Sequence, residues 1–370
     1  EIRLSLVGSE MCIRDSDVAF QLLASLFADE ELDGAVVHIP LSLFQFPYLS
    51  ENATKSLRLR EAELTVSLIQ PKLPISAFNI SSEGIRSAQW ELEQKPLVSI
   101  IIPTRNALEI TQQCIDSIMN SAGYSNFEIL LVDNQSDDPE ALAYFQSISD
   151  AGIARVIKYD ESFNYSAINN FAVTHAKGEI LLFLNNDIEV LSDDWLTQMV
   201  SNAARPNIGC VGTKLLYPNG QIQHAGVLIG YGGVADHCFK FSERDDEGFM
   251  SRLISNQNYQ AVTAACMAIK KVKFLEVGGF EEENLQVAFN DVDLCLKVQQ
   301  SGVRNLWLAN VELLHYESLT RGSDSSGEGF ERFQKEIEYM KETWHTDTQS
   351  DASYNPNLSL VAHNFSIASK

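Results

Sequence analysis

Residues Gly178 to Glu189 read GEILLFLNNDIE, an apolar run of strand length that stops abruptly at Asn185, Asn186 and Asp187. An uninterrupted run this short, bounded by polar residues, reads as a buried parallel strand, and open α/β sheets bind ligands beyond the carboxyl ends of such strands. Asp187 therefore stands at a candidate active-site rim. A strand-end carboxylate with flanking amide oxygens suits a hard divalent cation that keeps open positions for phosphate oxygens. Asn and Asp also start turns for local reasons, so this segment alone leaves a plain turn as the alternative.

Outward from it, Val98 to Asn106, VSIIIPTRN, is a second buried-strand run that breaks at Pro103 into a polar loop, and Glu128 to Asp138, EILLVDNQSDD, is a third. Between them lie two amphipathic helical stretches, one with Leu108, Cys114, Ile115, Ile118 and Met119 on its apolar stripe, the other with Ala141, Leu142, Phe145 and Ile148. Strands alternating with helices imply right-handed βαβ units and a mostly parallel, Rossmann-like α/β sheet flanked by helices. The phosphate loops GxGxxG and GxxxxGKS/T are both missing, which argues against dinucleotide and P-loop enzymes.

The ordered set IIPTRN, LVDNQSDD, FNYSAINN, LFLNND, QHAG, VTAACMAI, GGF, FNDVDLCLK and LHYES resembles the family-2 glycosyltransferases of the GT-A fold. The likeness is greatest to the bacterial O-antigen and rhamnosyltransferase-like branch. It runs from about Pro96 to Trp344 and extends to SYNPNLSL at Ser353 to Leu360. It implies an inverting, metal-dependent transfer of a sugar from a UDP- or dTDP-sugar to a saccharide or lipid-linked saccharide acceptor in surface-polysaccharide (O-antigen or capsule) synthesis. A non-catalytic nucleotide-sugar or carbohydrate-binding domain on the same fold is the alternative.

Residue by residue, the resemblance implies a donor site of Thr104, Arg105, Asp133, Asn169, Asn170, Asn185 and Asn186, with Asp133 accepting from the imide of a uracil or thymine ring. For Asp133 the plain reading is a local turn in DNQSDD. Asp187 matches the last acid of the family's Asp-x-Asp motif and His315 a late second ligand, together holding Mg²⁺ or Mn²⁺ on the diphosphate. A lone His after an apolar run can equally be a packed core residue. This chain carries Asn185 where many relatives have Asp, which lowers the charge of the site. Asp291 matches the catalytic base; its plain role is a helix N-terminus. Asp293, two residues on, points to another helix face, so the two cannot both be the base. Asn290 stands where relatives often have Glu. Gly279, Phe280, Asn290 and Asp293 fall on the acceptor side; Phe280 or Trp307 could stack on a pyranose, or belong to the core.

Length and composition fit one large α/β domain plus a lesser piece: 370 residues, 50 acidic against 27 basic, formal net charge -23. Such a balance argues against nucleic acid as a partner and against electrostatic adhesion to anionic lipid. Cys114, Cys210, Cys238, Cys266 and Cys295 show no CxxC spacing and sit in apolar runs, which suggests buried free thiols in a reducing compartment. With no run of about 18 apolar residues and no secretory signal, a cytoplasmic location is expected, with association to the inner membrane face only through substrate or partners. Residues 1–16 have no period and read as non-native. Residues 17–56, with a short amphipathic helix at Asp17–Phe27 and the strand-like AVVHIPLSLFQFP at Ala35–Pro47, resemble the truncated remnant of a preceding glycosyltransferase-like module. Residues 57–95 read as a linker or loose subdomain, 96–345 as the GT-A domain and 346–370 as a C-terminal tail.

Overall fold

In a computed structural model the described residues are 63, 66, 67, 73–81, 84–121, 123–317, 327–348, 351, 353–355, 357–361 and 365–367. The expected non-native segment 1–16 and module remnant 17–56 lie outside them. The chain divides into two compact units, Glu1–Glu91 and Leu92–Lys370. Within the first, β1 (Ile75–Ser81) and β2 (Gly84–Trp90) form an antiparallel hairpin, Ile75 opposite Trp90 and Ser81 opposite Gly84. It falls in the stretch expected to be a linker or loose subdomain. Ile80 is exposed and Ile75 buried, so the hairpin offers only a weak apolar signal.

The second unit opens with the expected alternation: β3 (Val98–Thr104), α1 (Leu108–Asn120), β4 (Phe127–Asp133), α2 (Pro139–Asp150), β5 (Arg155–Lys158), α3 (Tyr165–His175) and β6 (Ile180–Leu184). The strands pair in parallel in the order β6-β3-β4-β5. Because successive strand residues face opposite sides, Ile101, Leu130, Leu181 and Phe183 pack with Ile168, Ala172 and Val173 of α3. Ile100, Ile102, Leu131 and Leu182 pack with Cys114, Ile115 and Ile118 of α1. Every residue of β6 is buried, as its unbroken apolar run requires. Met119, expected on the α1 stripe, is instead exposed, and buried Thr111 completes that face. Pro139 begins α2 while the Asp138 side chain accepts from the Glu140 amide, and Asn164 caps α3 by accepting from the Ala167 amide.

Beyond β6 come β7 (Ile188–Val190), α4 (Trp195–Ala203), β8 (Ile208–Leu216), β9 (Ile222–His224), β10 (Val227–Ile229), β11 (Ala235–His237), β12 (Gln257–Tyr259), β13 (Cys266–Lys270), α5 (Lys271–Glu276), α6 (Asn290–Gln299), β14 (Arg304–His315) and α7 (Gly327–Trp344). The main sheet runs β12-β14-β8-β13-β6-β3-β4-β5, with β7 on β14 and β9 on β8. Four of the seven neighbour pairs along that path are parallel; antiparallel β13 joins β6 to β8. One pairing positions the site: β7 runs antiparallel to the end of β14, His315 opposite Ile188, and the Tyr316 amide donates to the Asp187 carbonyl. In the described part of the expected tail, Tyr354 and Phe365 are buried and Asp351 accepts from the Ile229 amide at 2.8 Å.

Candidate functional site

The end of β6 and the end of β14 meet. His315 Nε2 lies 3.1 Å from Asp187 Oδ1 and 3.2 Å from Asn185 Nδ2. Asp187 is buried and its Oδ1 has no hydrogen-bond partner. A carboxylate oxygen and an imidazole nitrogen converging at this distance seat a cation, which a proton or a divalent metal can supply. Among the described residues no third His, Cys, Asp or Glu completes a metal cluster. The donor set therefore fits a cation that takes its remaining oxygens from water or phosphate.

Asn186, the middle residue of the motif, turns inward: its Nδ2 donates to Thr104 Oγ1 at 3.1 Å and to Thr111 Oγ1 at 3.2 Å, and the two hydroxyls are 2.9 Å apart. This buried cluster ties β6 to β3 and α1, and occupies both Asn186 and Thr104. Arg105 is exposed on the following loop. Asp133 is buried at the end of β4, with Oδ1 accepting from the Ser136 amide at 3.0 Å. That bond forms the local turn; it leaves room for the carboxylate's other lone pairs. Asn106, unassigned in the sequence, zips the two loops together, its Oδ1 accepting from the Asp137 and Asp138 amides at 2.9 and 3.0 Å.

Asp291, in the first turn of α6, is half-buried, and its Oδ2 accepts from the Ala264 amide at 3.0 Å. The Ala264 carbonyl in turn accepts from the Tyr165 hydroxyl at 3.1 Å, which also reaches Asn185 Oδ1 at 3.4 Å. A continuous polar path thus joins Asp291 to the Asp187–His315 corner. Burial and then the Asp291 charge push the Tyr165 phenol above its usual range. Tyr165 lay within FNYSAINN without an assigned role, and only the fold brings it between the two acids. Asp293 faces away from that path: it is buried, 2.9 Å from Lys297 Nζ and 2.9 Å from Trp344 Nε1 of α7. Phe289, at φ 60°, makes the sharp entry to α6. The buried Glu336 of α7 steadies that entry, accepting from the Val287 and Ala288 amides at 2.8 and 3.2 Å. Asn290 donates to the Val287 carbonyl at 3.0 Å.

The other expected contacts are placed as follows. Asn169 is buried within α3, Nδ2 donating to the Tyr165 carbonyl at 2.8 Å. Asn170 latches the GGF turn, donating to the Phe280 carbonyl at 2.9 Å and accepting from the Phe280 amide at 3.0 Å. Gly279 has φ +73°, and a Cβ there would lie 2.7 Å from Asn170 Oδ1, so the turn needs glycine for both reasons. Phe280 is 2 % exposed against Phe183, Phe274 and Tyr165. Trp307 is also fully buried and donates to the Thr213 carbonyl at 3.0 Å. The five described cysteines are buried and free. Gln223, whose Oε1 lies 2.6 Å from His315 Nδ1, and the pair His224 and His237, 3.3 Å apart at their Nδ1 atoms, went unassigned.

Residues 99–274 match the model of Glycosyl transferase family 2. The chain is similar to the uncharacterized protein y4gI of Sinorhizobium fredii, 44% identical over 87% of this chain and 35% of that protein. It is 38% identical to the O-antigen biosynthesis protein RfbC of Myxococcus xanthus over 74% of this chain and 21% of that protein. The chain thus spans about a third and about a fifth of these two relatives. Among solved structures, the mannosyltransferase PcManGT of Pyrobaculum calidifontis, in complex with GDP-Man and Mn²⁺, superposes with a TM-score of 0.51 at 18% identity, covering 71% of this chain and 68% of that one.

Proposed function

We propose, on the match of residues 99–274 to the model of Glycosyl transferase family 2, that the chain transfers a sugar with inversion from a UDP- or dTDP-sugar to a saccharide or lipid-linked saccharide acceptor of a bacterial surface polysaccharide. The observation that carries the reading is the Asp187–His315 corner, an unpartnered buried carboxylate oxygen 3.1 Å from an imidazole nitrogen at the end of a central strand. Mg²⁺ or Mn²⁺ bound there would act as a Lewis acid on the leaving diphosphate. Asp133 and Arg105 would flank the nucleoside at the ends of β4 and β3. Asp291 would take the proton of the attacking hydroxyl at a carboxylate oxygen, held in place through the Ala264 amide. Tyr165, donating its own proton to Ala264 and Asn185, orients both sides of the site without supplying a base. Among the described residues no helix is long and apolar enough to cross a membrane; a lipid-linked acceptor would bring the domain to the inner membrane face.

Isothermal titration of UDP with and without Mn²⁺ tests the reading. Wild-type protein should bind UDP in a Mn²⁺-dependent manner and Asp187→Ala should lose most of that dependence, because it removes the one full carboxylate of the corner. Unchanged affinity in the variant would sink the metal assignment. Donor hydrolysis in the presence of Mn²⁺ separates an enzyme from a binding domain on the same fold; binding without any turnover of a screened set of nucleotide-sugars would favour the latter.

A further inference from the structure

Gln223 is 2 % exposed in the middle of β9. The register of β9 on β8 steps from Leu216↔Ile222 to Leu215↔His224, so Gln223 is the extra residue of a β-bulge. Bulges re-aim side chains, and this one sends Gln223 towards the end of β14.

Its two amide atoms can be told apart by what they face. Nε2 lies 3.0 Å from Glu317 Oε2 and 3.5 Å from the His315 carbonyl oxygen. Ionised carboxylate and carbonyl oxygens only accept, so this end of the amide is the NH₂. Oε1 is thereby turned to His315 Nδ1 at 2.6 Å. An amide oxygen also only accepts, so Nδ1 carries the proton, and in a neutral imidazole Nε2 then carries the lone pair. Nε2 is the atom that approaches Asp187 Oδ1.

The geometry points to Gln223 as the positioning residue that fixes the His315 tautomer, so that Nε2 presents a lone pair to a divalent cation shared with Asp187. This rests on the metal reading of the Asp187–His315 corner and deepens it. Metal-ligating histidines are regularly held by a hydrogen bond from their other ring nitrogen, and loss of such a partner typically weakens metal binding by about 10- to 100-fold. Here the partner is an amide that is itself oriented by a carboxylate. The order of control runs from Glu317 to Gln223 to His315, and a substitution at either of the first two should be felt at the third.

The experiment has two readouts. Long-range ¹H–¹⁵N correlation on protein labelled at histidine, recorded at pH 8 without metal, reports which ring nitrogen carries the proton; the His315 signals are identified by their loss in His315→Asn. Isothermal titration of Mn²⁺ in the presence of UDP reports affinity. Wild-type His315 should show a protonated Nδ1. Gln223→Met, close in shape but without donor or acceptor, should show mixed tautomers and bind Mn²⁺ about 10- to 100-fold more weakly. Glu317→Ala, at an exposed position where folding is not at stake, removes the oxygen that orients the amide and should shift the tautomer the same way. A wild-type His315 whose Nδ1 lacks the proton would overturn the inference. So would a Gln223→Met protein with wild-type tautomer and affinity, and if that variant does not fold, an unchanged His315 spectrum in Glu317→Ala does the same. Should wild-type protein fail to bind Mn²⁺, the metal reading falls, and the spectra still decide whether Gln223 sets the tautomer.

Discussion

The segment Val98–Asn186 and the segment Ile208–His315 with α7 build the two sides of one sheet by different means. In the first, three of the four parallel strands, β3, β4 and β6, bury apolar runs, and the polar cluster of Thr104, Thr111 and Asn186 bonds side chain to side chain. In the second, buried polar side chains hold main-chain groups of distant segments. Asn305, 0 % exposed, donates to the Gln260 and Cys295 carbonyls at 2.8 and 3.0 Å and accepts from the Cys210 amide at 2.9 Å. Glu336 does the same for the loop that enters α6. Apolar runs tolerate local change as long as volume is kept. A polar stitch does not, because its loss strands buried backbone groups without partners.

The largest effect expected from this contrast is at the two acids of α6, which lie in the stitched region and differ in what holds them. Asp291→Asn keeps the shape and can still accept from the Ala264 amide, but cannot take a proton. Because general-base catalysis contributes typically ~10²- to 10⁴-fold, kcat should fall by that order while melting temperature and UDP affinity stay near wild type. Asp293→Asn should do the reverse: it breaks the buried pairing with Lys297 and lowers the melting temperature, while kcat measured below that temperature changes by only a few-fold. Equal loss of kcat in both variants, or turnover in Asp291→Asn within a few-fold of wild type, would break the assignment of roles.

A smaller effect separates the two regions directly. Asn305→Ala removes three buried hydrogen bonds, to the Gln260 and Cys295 carbonyls and from the Cys210 amide, and should cost about 3 kcal/mol in urea unfolding at about 1 kcal/mol net per bond. Thr111→Val removes one hydroxyl from the first region's cluster, where Asn186 can still donate to Thr104. About 1 kcal/mol is expected there. If the two variants prove equally destabilised, the distinction between stitched and apolar halves does not hold.

This difference also explains what could be read from the amino acids. Runs such as SIIIP, EILLVD and EILLFL announce strands because burial on both faces leaves no alternation to confuse, and their polar ends are visible at once. The three-residue strands β9, β10 and β11 have no period; they turn on Gly226, Gly230, Gly232 and Gly233, all at positive φ. The hairpin at Ile75–Trp90 and the packed Tyr354 and Phe365 had no comparable signal. For the site, the place of Asp187 at a strand end was legible, but its neighbour was not. His315 reaches it only through the pairing of β7 with β14, which no local pattern encodes, and the family resemblance supplied the pair. Asn170 shows the opposite case. Read as a donor contact, it is spent on the main chain of Phe280, 110 residues away.

A further effect, visible only as a change of stability with pH, tests the far side of the stitched region. His224 is fully buried on β9 with its Nδ1 3.3 Å from His237 Nδ1, and its Nε2 has no partner. Burial first, then the neighbouring His237, His315 and Lys240, hold its pKa well below the ordinary value of 6.5, so the folded protein keeps this ring neutral. The unfolded chain protonates it as pH falls below about 6.5. In that window the unfolded state binds more protons than the folded state, so stability rises with pH and is lost on acidification. One such group contributes at most about 1.4 kcal/mol per pH unit. His237, whose pKa is also lowered by burial and Lys240 but raised by Asp236 and Asp291, adds a weaker term of the same sign. Replacing His224 by Asn retains a short-range acceptor near the Nδ1 position and removes the titration. Between pH 7.5 and 5.5 the variant should therefore lose less stability than wild type, by up to about 1.4 kcal/mol over the last unit. Parallel stability curves for the two proteins across that range would show that His224 is protonated equally in both states, and that the buried histidine pair is not held neutral by the fold.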